Sequence, residues 1–415
     1  MLKNYIKIAL KVLRRHKLFT FISLFGISFT LLILIVISSF VDHTFGPVEP
    51  EKKLDRTLSV TVGILRSKAG GHARGPIFSP YFLNRYVKSL KTPELVSISS
   101  FHNPIITYKN RRKHDFALKF VDAEFWQILD FNFLEGNGFK KTDVDNKNPV
   151  AIINRKTRDQ YFDGEDALGK TIAADGQNFR VIGVVENVSL LRIMPYSDIW
   201  VPLSYSKENL DKISIAGGFP GWYAMILART KADFPVIRRE FKKHIDQVEF
   251  PDGKWDKVIT GAATYAEAFT RSLFSTEEDT DSPLMVFIMI LIILFMLLPT
   301  VNLVNINISR IMERSSEIGV RKAFGASSIT LVGQFIVENV IITLLGGIIS
   351  LVLAAIVLQI INNSGMIPHL HLEISFRVFT VSIVLCLFFG LLSGVYPAYR
   401  MSRLHPVDAL RGDQK

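Results

Sequence analysis

The sequence predicts a membrane protein of four transmembrane α-helices, with a large extracytoplasmic α+β domain inserted between helices 1 and 2. Three observations carry that reading. The apolar residues, 48% of the 415-residue chain, gather in four blocks, one near the N-terminus and three after Pro283. Basic residues cluster beside those blocks, on sides that agree with one another. Between the first and second blocks lie roughly 240 residues of mixed strand and helix patterning, enough to build a core of their own.

Taken in order, residues 1–17 read as a cytoplasmic amphipathic helix. Lys3, Lys7, Lys11 and Arg14 form one stripe and Leu2, Ile6, Ala9 and Leu13 the other, as in a helix lying on an anionic leaflet. Residues 18–41 carry no charge and exceed the ~20 residues that cross a bilayer. They are also longer than the apolar region of a secretory signal. The further spans are 283–308, 329–361 and 376–398, with an outer loop at 362–375. Residues 309–328 form a cytoplasmic connection and 399–415 a cytoplasmic tail. The net charge of +11 does not indicate nucleic acid. Its basic residues crowd before the first span, after the second (Arg310, Arg314, Arg321, Lys322) and after the fourth (Arg400, Arg403, Arg411). Lys and Arg beside spans mark the cytoplasmic side, so both termini lie inside and residues 42–282 outside. The one cysteine, Cys386, falls in the fourth span. The outer domain therefore holds together without disulfides, and its size suggests two subdomains.

Within the outer domain, Asn148–Ile153 reads as a buried strand and the polar stretch after it as a helix. Residues 171–185 read as a hairpin about Asp175-Gly176, a strong two-residue turn signal. "WYAMILAR" reads as a strand, and 232–248 as an amphipathic helix with Ile237, Phe241 and Ile245 on one face. The stretch "GEDALGKT", Gly164 to Thr171, spells a phosphate-binding loop. Such a loop follows a strand and opens a helix, whose amides receive the anion. Here the order is helix before and strand after, and Asp163, Glu165 and Asp166 add negative charge. The stretch reads as a turn, so the chain is expected to bind no nucleotide itself. "LSG" at Leu392–Gly394 resembles the start of an ABC signature but lies inside the fourth span.

The cytoplasmic connection is the most informative segment. In a helical 313–324, Glu313 and Glu317 share a face, and Glu317 meets Arg321 at i,i+4. Gly319 and Gly325 remove side-chain bulk, so another surface can approach the backbone. Ile318, Val320 and Phe324 are apolar where water is expected. Glu313-Arg314, Glu317-Ile318-Gly319, Arg321, Ala323, Gly325-Ala326, Phe335, Glu338 and Gly346-Gly347 resemble the permeases of MacB/FtsX-type ABC transporters, also called type VII or mechanotransmission permeases. "GLLSGVYPAYRMSRLHPVDALRG" is similar to that family's closing motif through Gly390, Gly394, Pro397-Ala398, Pro406 and Ala409-Leu410-Arg411. "LEGNGFKKTDVDNKNPVAI" and "FRVIGVVENV" are similar to its periplasmic core domain. In that family the Asp-Ala-Leu-Gly-Lys run is a recurring structural turn.

The resemblance implies a non-catalytic subunit of the inner membrane that transmits ATP-driven motion from a separate ATPase to its outer domain, for efflux or export of an envelope substrate. ATP and Mg would be bound by that partner, and this chain would hold no cofactor. The coupling residues would be Glu313, Arg314, Glu317, Ile318, Gly319, Arg321, Phe324 and Gly325. The implied partners are the ABC ATPase, a second permease protomer (same or different) and the bilayer, with a periplasmic adaptor left open and nucleic acid excluded. The alternative is an FtsX-like scaffold that regulates envelope enzymes, or a lipoprotein-extraction subunit. Gly346, Gly347, Gly390 and Gly394 read as helix-packing positions. Glu338, within the third span, is either a packing and hydrogen-bonding group or a substrate or proton site. His369 and His371 read as ordinary loop residues rather than metal ligands, Ser275–Pro283 as a solvated linker, and no nucleophile–base set stands out.

Overall fold

The computed structural model describes residues 17–273, with breaks at 68, 211, 219–220 and 251–252, and residues 327–374. It adds scattered positions in 6–15, 290, 320, 324 and 376–388. The chain divides into two compact units: residues 1–42, 287–364 and 372–415, and residues 43–286 with 365–371.

The first unit is helical. Helix α1 is Lys17–Phe45, its last turn belonging to the second unit, and a helix at Ser328–Asn363 is the other long element. Apolar stretches of 26 residues (Thr20–Phe45) and 28 residues (Ile336–Asn363) run within them. At ~1.5 Å per residue each exceeds the ~30 Å hydrocarbon core. Ser327 accepts a hydrogen bond from the Thr330 amide at 3.3 Å, capping the start of the second helix. Gly365, with φ 65°, stops it in the left-handed conformation that glycine adopts freely. The predicted spans 283–308 and 376–398 lie outside the described residues apart from isolated positions. Of the N-terminal apolar stripe, Ile6 is exposed, whereas Leu13 is buried with Ile27, Leu31 and Ile342. Leu13 thus packs on protein.

The second unit is α+β. Its strands are β1 Thr57–Val60, β2 Gly63–Arg66, β3 His72–Gly75, β4 Leu95–Ser100, β5 Asn103–Lys109, β6 Arg112–Val121, β7 Phe133–Gly136, β8 Val150–Asn154, β9 Thr171–Ala174, β10 Gln177–Val185, β11 Ile199–Pro202, β12 Trp222–Leu227 and β13 Lys257–Ile259. Among the described residues a ten-stranded sheet runs β1-β12-β4-β6-β11-β8-β10-β7, with β5 on β6 and β9 on β10. Most pairs are antiparallel; β8–β10 and β6–β11 are parallel. Both faces of this sheet are covered, so strands β8, β11 and β12 are buried along their whole length rather than on alternate residues. In β12, Trp222, Ala224 and Ile226 enter one hydrophobic cluster while Tyr223, Met225 and Leu227 enter another. In β10 the register shifts between Val181 and Gly183. This bulge lets Val181 and Val184 share a face although they stand three positions apart.

Six helices complete this unit in the described residues: α2 Pro80–Tyr86, α3 Phe125–Ile128, α4 Lys141–Asp145, α5 Arg155–Tyr161, α6 Phe234–Ile245 and α7 Tyr265–Leu273. The Ser328–Asn363 helix is then α8. Strand β8, helix α5, the β9–β10 hairpin, β12 and α6 stand where the sequence places them. Asp175 and Gly176 both take positive φ in the tight turn. A second sheet, β13-β2-β3, departs from the expectation of two subdomains. Its inner residues Leu65 and Val258 belong to the same cluster as β8 and β12, so the two sheets share one core.

The 164–171 stretch is a turn. Gly164 and Gly169 have φ of 80° and 77°, Lys170 pairs with Glu165 at 2.7 Å, and β9 starts at Thr171. A strand follows the lysine where a phosphate loop needs a helix N-terminus.

Candidate functional site

Of the coupling residues inferred from sequence, Glu313, Arg314, Glu317, Ile318, Gly319, Arg321 and Gly325 lie outside the described residues, as do Gly390 and Gly394. Phe324 is described and is 89% exposed; its amide bonds the Val320 carbonyl at 3.1 Å, one helical turn back. In α8 the two glycines face different neighbours. A Cβ on Gly346 would sit 2.6 Å from Ile27 Cγ2 of α1, and one on Gly347 would sit 3.0 Å from Ile383 Cδ1. The missing side chains let the helices approach closely. Glu338, Asn339 and Thr343 are buried on the same helix.

The second unit contains a buried polar centre that no motif announces. The loop 189–196 lies at its middle. Arg192 is 1% exposed and pairs with Glu51, 2% exposed, at 2.9 Å; its other terminal nitrogen donates to the Gly46 carbonyl at 2.7 Å. Lys119, wholly buried on β6, donates to the carbonyls of Ile193 (3.1 Å) and Met194 and to the Tyr223 hydroxyl (3.3 Å). The Tyr223 hydroxyl in turn donates to the Met194 carbonyl. Tyr265 of α7 donates to the Leu191 carbonyl at 3.0 Å, and Phe45 packs edge-on against Tyr265 and Phe269. The Leu190 amide donates to the Pro368 carbonyl at 3.2 Å. Burial pushes the Lys119 ammonium well below the usual lysine range, with Glu51 opposing. Burial likewise pushes Glu51 up, against the pull of Arg192 and Lys119. Glu51 and Arg192 stand 141 residues apart, so sequence spacing cannot pair them. The one local signal is Lys119 itself, a lone charge inside the apolar run "FALKFV".

Residues 20–244 match the model of the MacB-like periplasmic core domain, and residues 289–406 match the FtsX-like permease C-terminal domain. The chain belongs to the MacB/FtsX-type ABC transporter permeases. Among curated relatives it is 26% identical over 349 residues to the macrolide export ATP-binding/permease protein MacB of Escherichia coli K12, covering 79% of this chain and 49% of that protein. It is 24% identical over 290 residues to the MacB of Pasteurella multocida, covering 70% and 42%. The chain thus spans about half the length of the curated relatives it matches. Among solved structures, the periplasmic region of MacB from Actinobacillus actinomycetemcomitans aligns with TM-score 0.36 and 15% identity, over 54% of this chain and 94% of that one. The extracellular domain of the noncanonic ABC-type transporter YknZ from Gram-positive bacteria aligns with TM-score 0.37 and 16% identity, over 49% and 98%.

In this MacB/FtsX permease the polar centre draws on both matched regions. Gly46, Glu51, Lys119 and Arg192 lie in the core-domain match, Pro368 in the FtsX-like match and Tyr265 between the two. A second buried network adjoins it. Asp198 accepts from the Ala117 amide and from Asn154 Nδ2, both at 2.9 Å, and from Lys156. His102 packs edge-on against Tyr196, and burial lowers the imidazole pKa of both His102 and His369. Among the described residues no cluster of His, Cys, Asp and Glu could hold a metal ion.

Proposed function

We propose that this permease is a four-span subunit with both termini in the cytoplasm, and that it converts ATP-driven movement beneath the bilayer into movement of residues 42–282 outside it. A separate ABC ATPase would dock on the segment Glu313–Ala326, two permease protomers would pair, and the cargo would be an envelope-located substrate for efflux or export. The observation that carries this reading is the succession, in one chain, of an apolar helix, a MacB-like core domain and an FtsX-like C-terminal region. The matched relatives are described as ATP-binding/permease proteins for macrolide export, which supports an ATP-linked transport role.

Support for force transmission, rather than passage between spans, comes from the solidity of the outer unit. Its ten-stranded sheet is covered on both faces, and a buried ion pair fastens the loop 189–196 to the segment after α1, so the unit is built to move as a body. Co-expression of the full chain with the candidate ATPase, followed by purification in detergent and reconstitution, tests the proposal. A stable complex whose ATP hydrolysis accompanies export of a macrolide probe is the expected result. Absence of any complex sinks it. A complex that hydrolyses ATP without moving any compound, yet activates an envelope hydrolase, would favour the FtsX-like regulatory reading.

A further inference from the structure

We infer that the 189–196 loop is the joint through which movement of the apolar helices enters the outer sheet, with Arg192 and Lys119 as its positioning residues. The inference rests on the functional reading above and names the place where that reading acts.

Three segments that adjoin apolar blocks in sequence meet on this one loop, and all three meet it inside the second unit. Gly46 and Glu51 follow directly on α1 and are held by Arg192. Tyr265 opens α7, the last described helix before the apolar block at 283–308, and is held by the Leu191 carbonyl. Pro368 lies in the short link after α8 and is held by the Leu190 amide. A loop serving only to join β10 to β11 would not need contacts from three such distant stretches.

The loop is also fastened inward. Lys119 and Tyr223 stand on β6 and β12, the fourth and second strands along the path of the ten-stranded sheet, and both bond the Met194 carbonyl. Displacement arriving at Glu51, Tyr265 or Pro368 therefore reaches β6 and β12 through two hydrogen bonds and the short stretch of loop backbone between them. Both partners of the Arg192–Glu51 pair are almost wholly buried. Such a pair cannot slide open cheaply, because either charge left alone in the interior is strongly unfavourable. The joint is rigid: its work is to keep the three inputs and the sheet moving together.

The test uses the full chain with its ATPase in nanodiscs. Cys386 is replaced by Ser, and spin labels are placed at Lys11→Cys and Tyr108→Cys, both exposed positions. Trapping the ATPase with ATP and vanadate should shift the label-to-label distance distribution in the otherwise unaltered chain. Arg192→Ala should remove that shift while ATP hydrolysis stays within about twofold. Because Arg192→Ala leaves Glu51 unpaired and can fail to fold, the double variant Glu51→Leu/Arg192→Met provides the second measurement. An apolar pair of similar volume fills the same space without a buried charge, so it should fold and restore the shift. A folded Arg192→Ala chain with the full shift overturns the inference. So does a folded, ATP-hydrolysing double variant without it, since packing would then not be what transmits. No shift in the unaltered chain, with ATPase bound and turning over, would instead overturn the functional reading and the inference with it.

Discussion

Gly346 matters for the atom it lacks. A Cβ there would fall 2.6 Å from Ile27 Cγ2, on a helix face where Ile27 and Ile342 are both buried. Gly346→Leu should therefore force α1 and α8 apart and cost about 1–3 kcal/mol, the range for overpacking a filled site. A lowered thermal unfolding midpoint of the detergent-solubilised chain checks it, and an unchanged midpoint would refute close packing there. His102 and His369 give a pH dependence. Burial holds both imidazoles below their ordinary pKa of 6.5; Lys119 also lowers His102 and Lys156 also lowers His369, while Asp198 raises each. A depressed folded pKa means the unfolded chain takes up the proton first. Stability is therefore whole above about pH 6.5 and falls as pH drops through that value toward the folded pKa. Unfolding midpoints of the full chain between pH 7.5 and 5, with His102→Asn flattening the trend, would show this; a flat profile in the unaltered chain would contradict it.

At the scale of elements, local signals and tertiary context can be told apart. Helix α5 forms where a polar run follows a buried strand, and Asn154 caps it by accepting the Thr157 amide at 2.8 Å. The same side chain donates to Asp198, so one residue closes a helix and ties β8 to the segment before β11. Asn154→Ala should cost more than the ~1 kcal/mol of a cap alone, on the order of 2 kcal/mol, because Asp198 also loses a buried partner. Denaturant unfolding of the full chain measures it. Strand β12, helix α6 and the Asp175-Gly176 hairpin were legible because their periodicity or turn chemistry is complete within a few residues. The three-stranded sheet was not. β2, β3 and β13 are three or four residues each, too short for a period to register, and β13 pairs with β2 across almost two hundred positions.

At the scale of the whole molecule, the proposed lever on the cytoplasmic side and the joint at 189–196 make one prediction together. Glu317→Arg or Gly319→Trp should weaken ATPase docking at least tenfold, which corresponds to about 1.4 kcal/mol, while leaving the unfolding midpoint of the outer unit where it was. Affinity of the purified chain for its ATPase reads the first part and thermal unfolding the second. Normal affinity in both variants would place the docking surface elsewhere. Family, membrane character and the α+β class of the outer domain were determined by sequence alone, since apolar run length, basic flanks and glycine-bearing motifs act over neighbouring residues. The meeting of Glu51, Lys119, Arg192, Tyr265 and Pro368 was decided only by the tertiary structure. Apart from Lys119, a lone charge in an apolar run, each is an unremarkable residue in its own stretch, and burial brings together charges and carbonyls that no linear spacing relates.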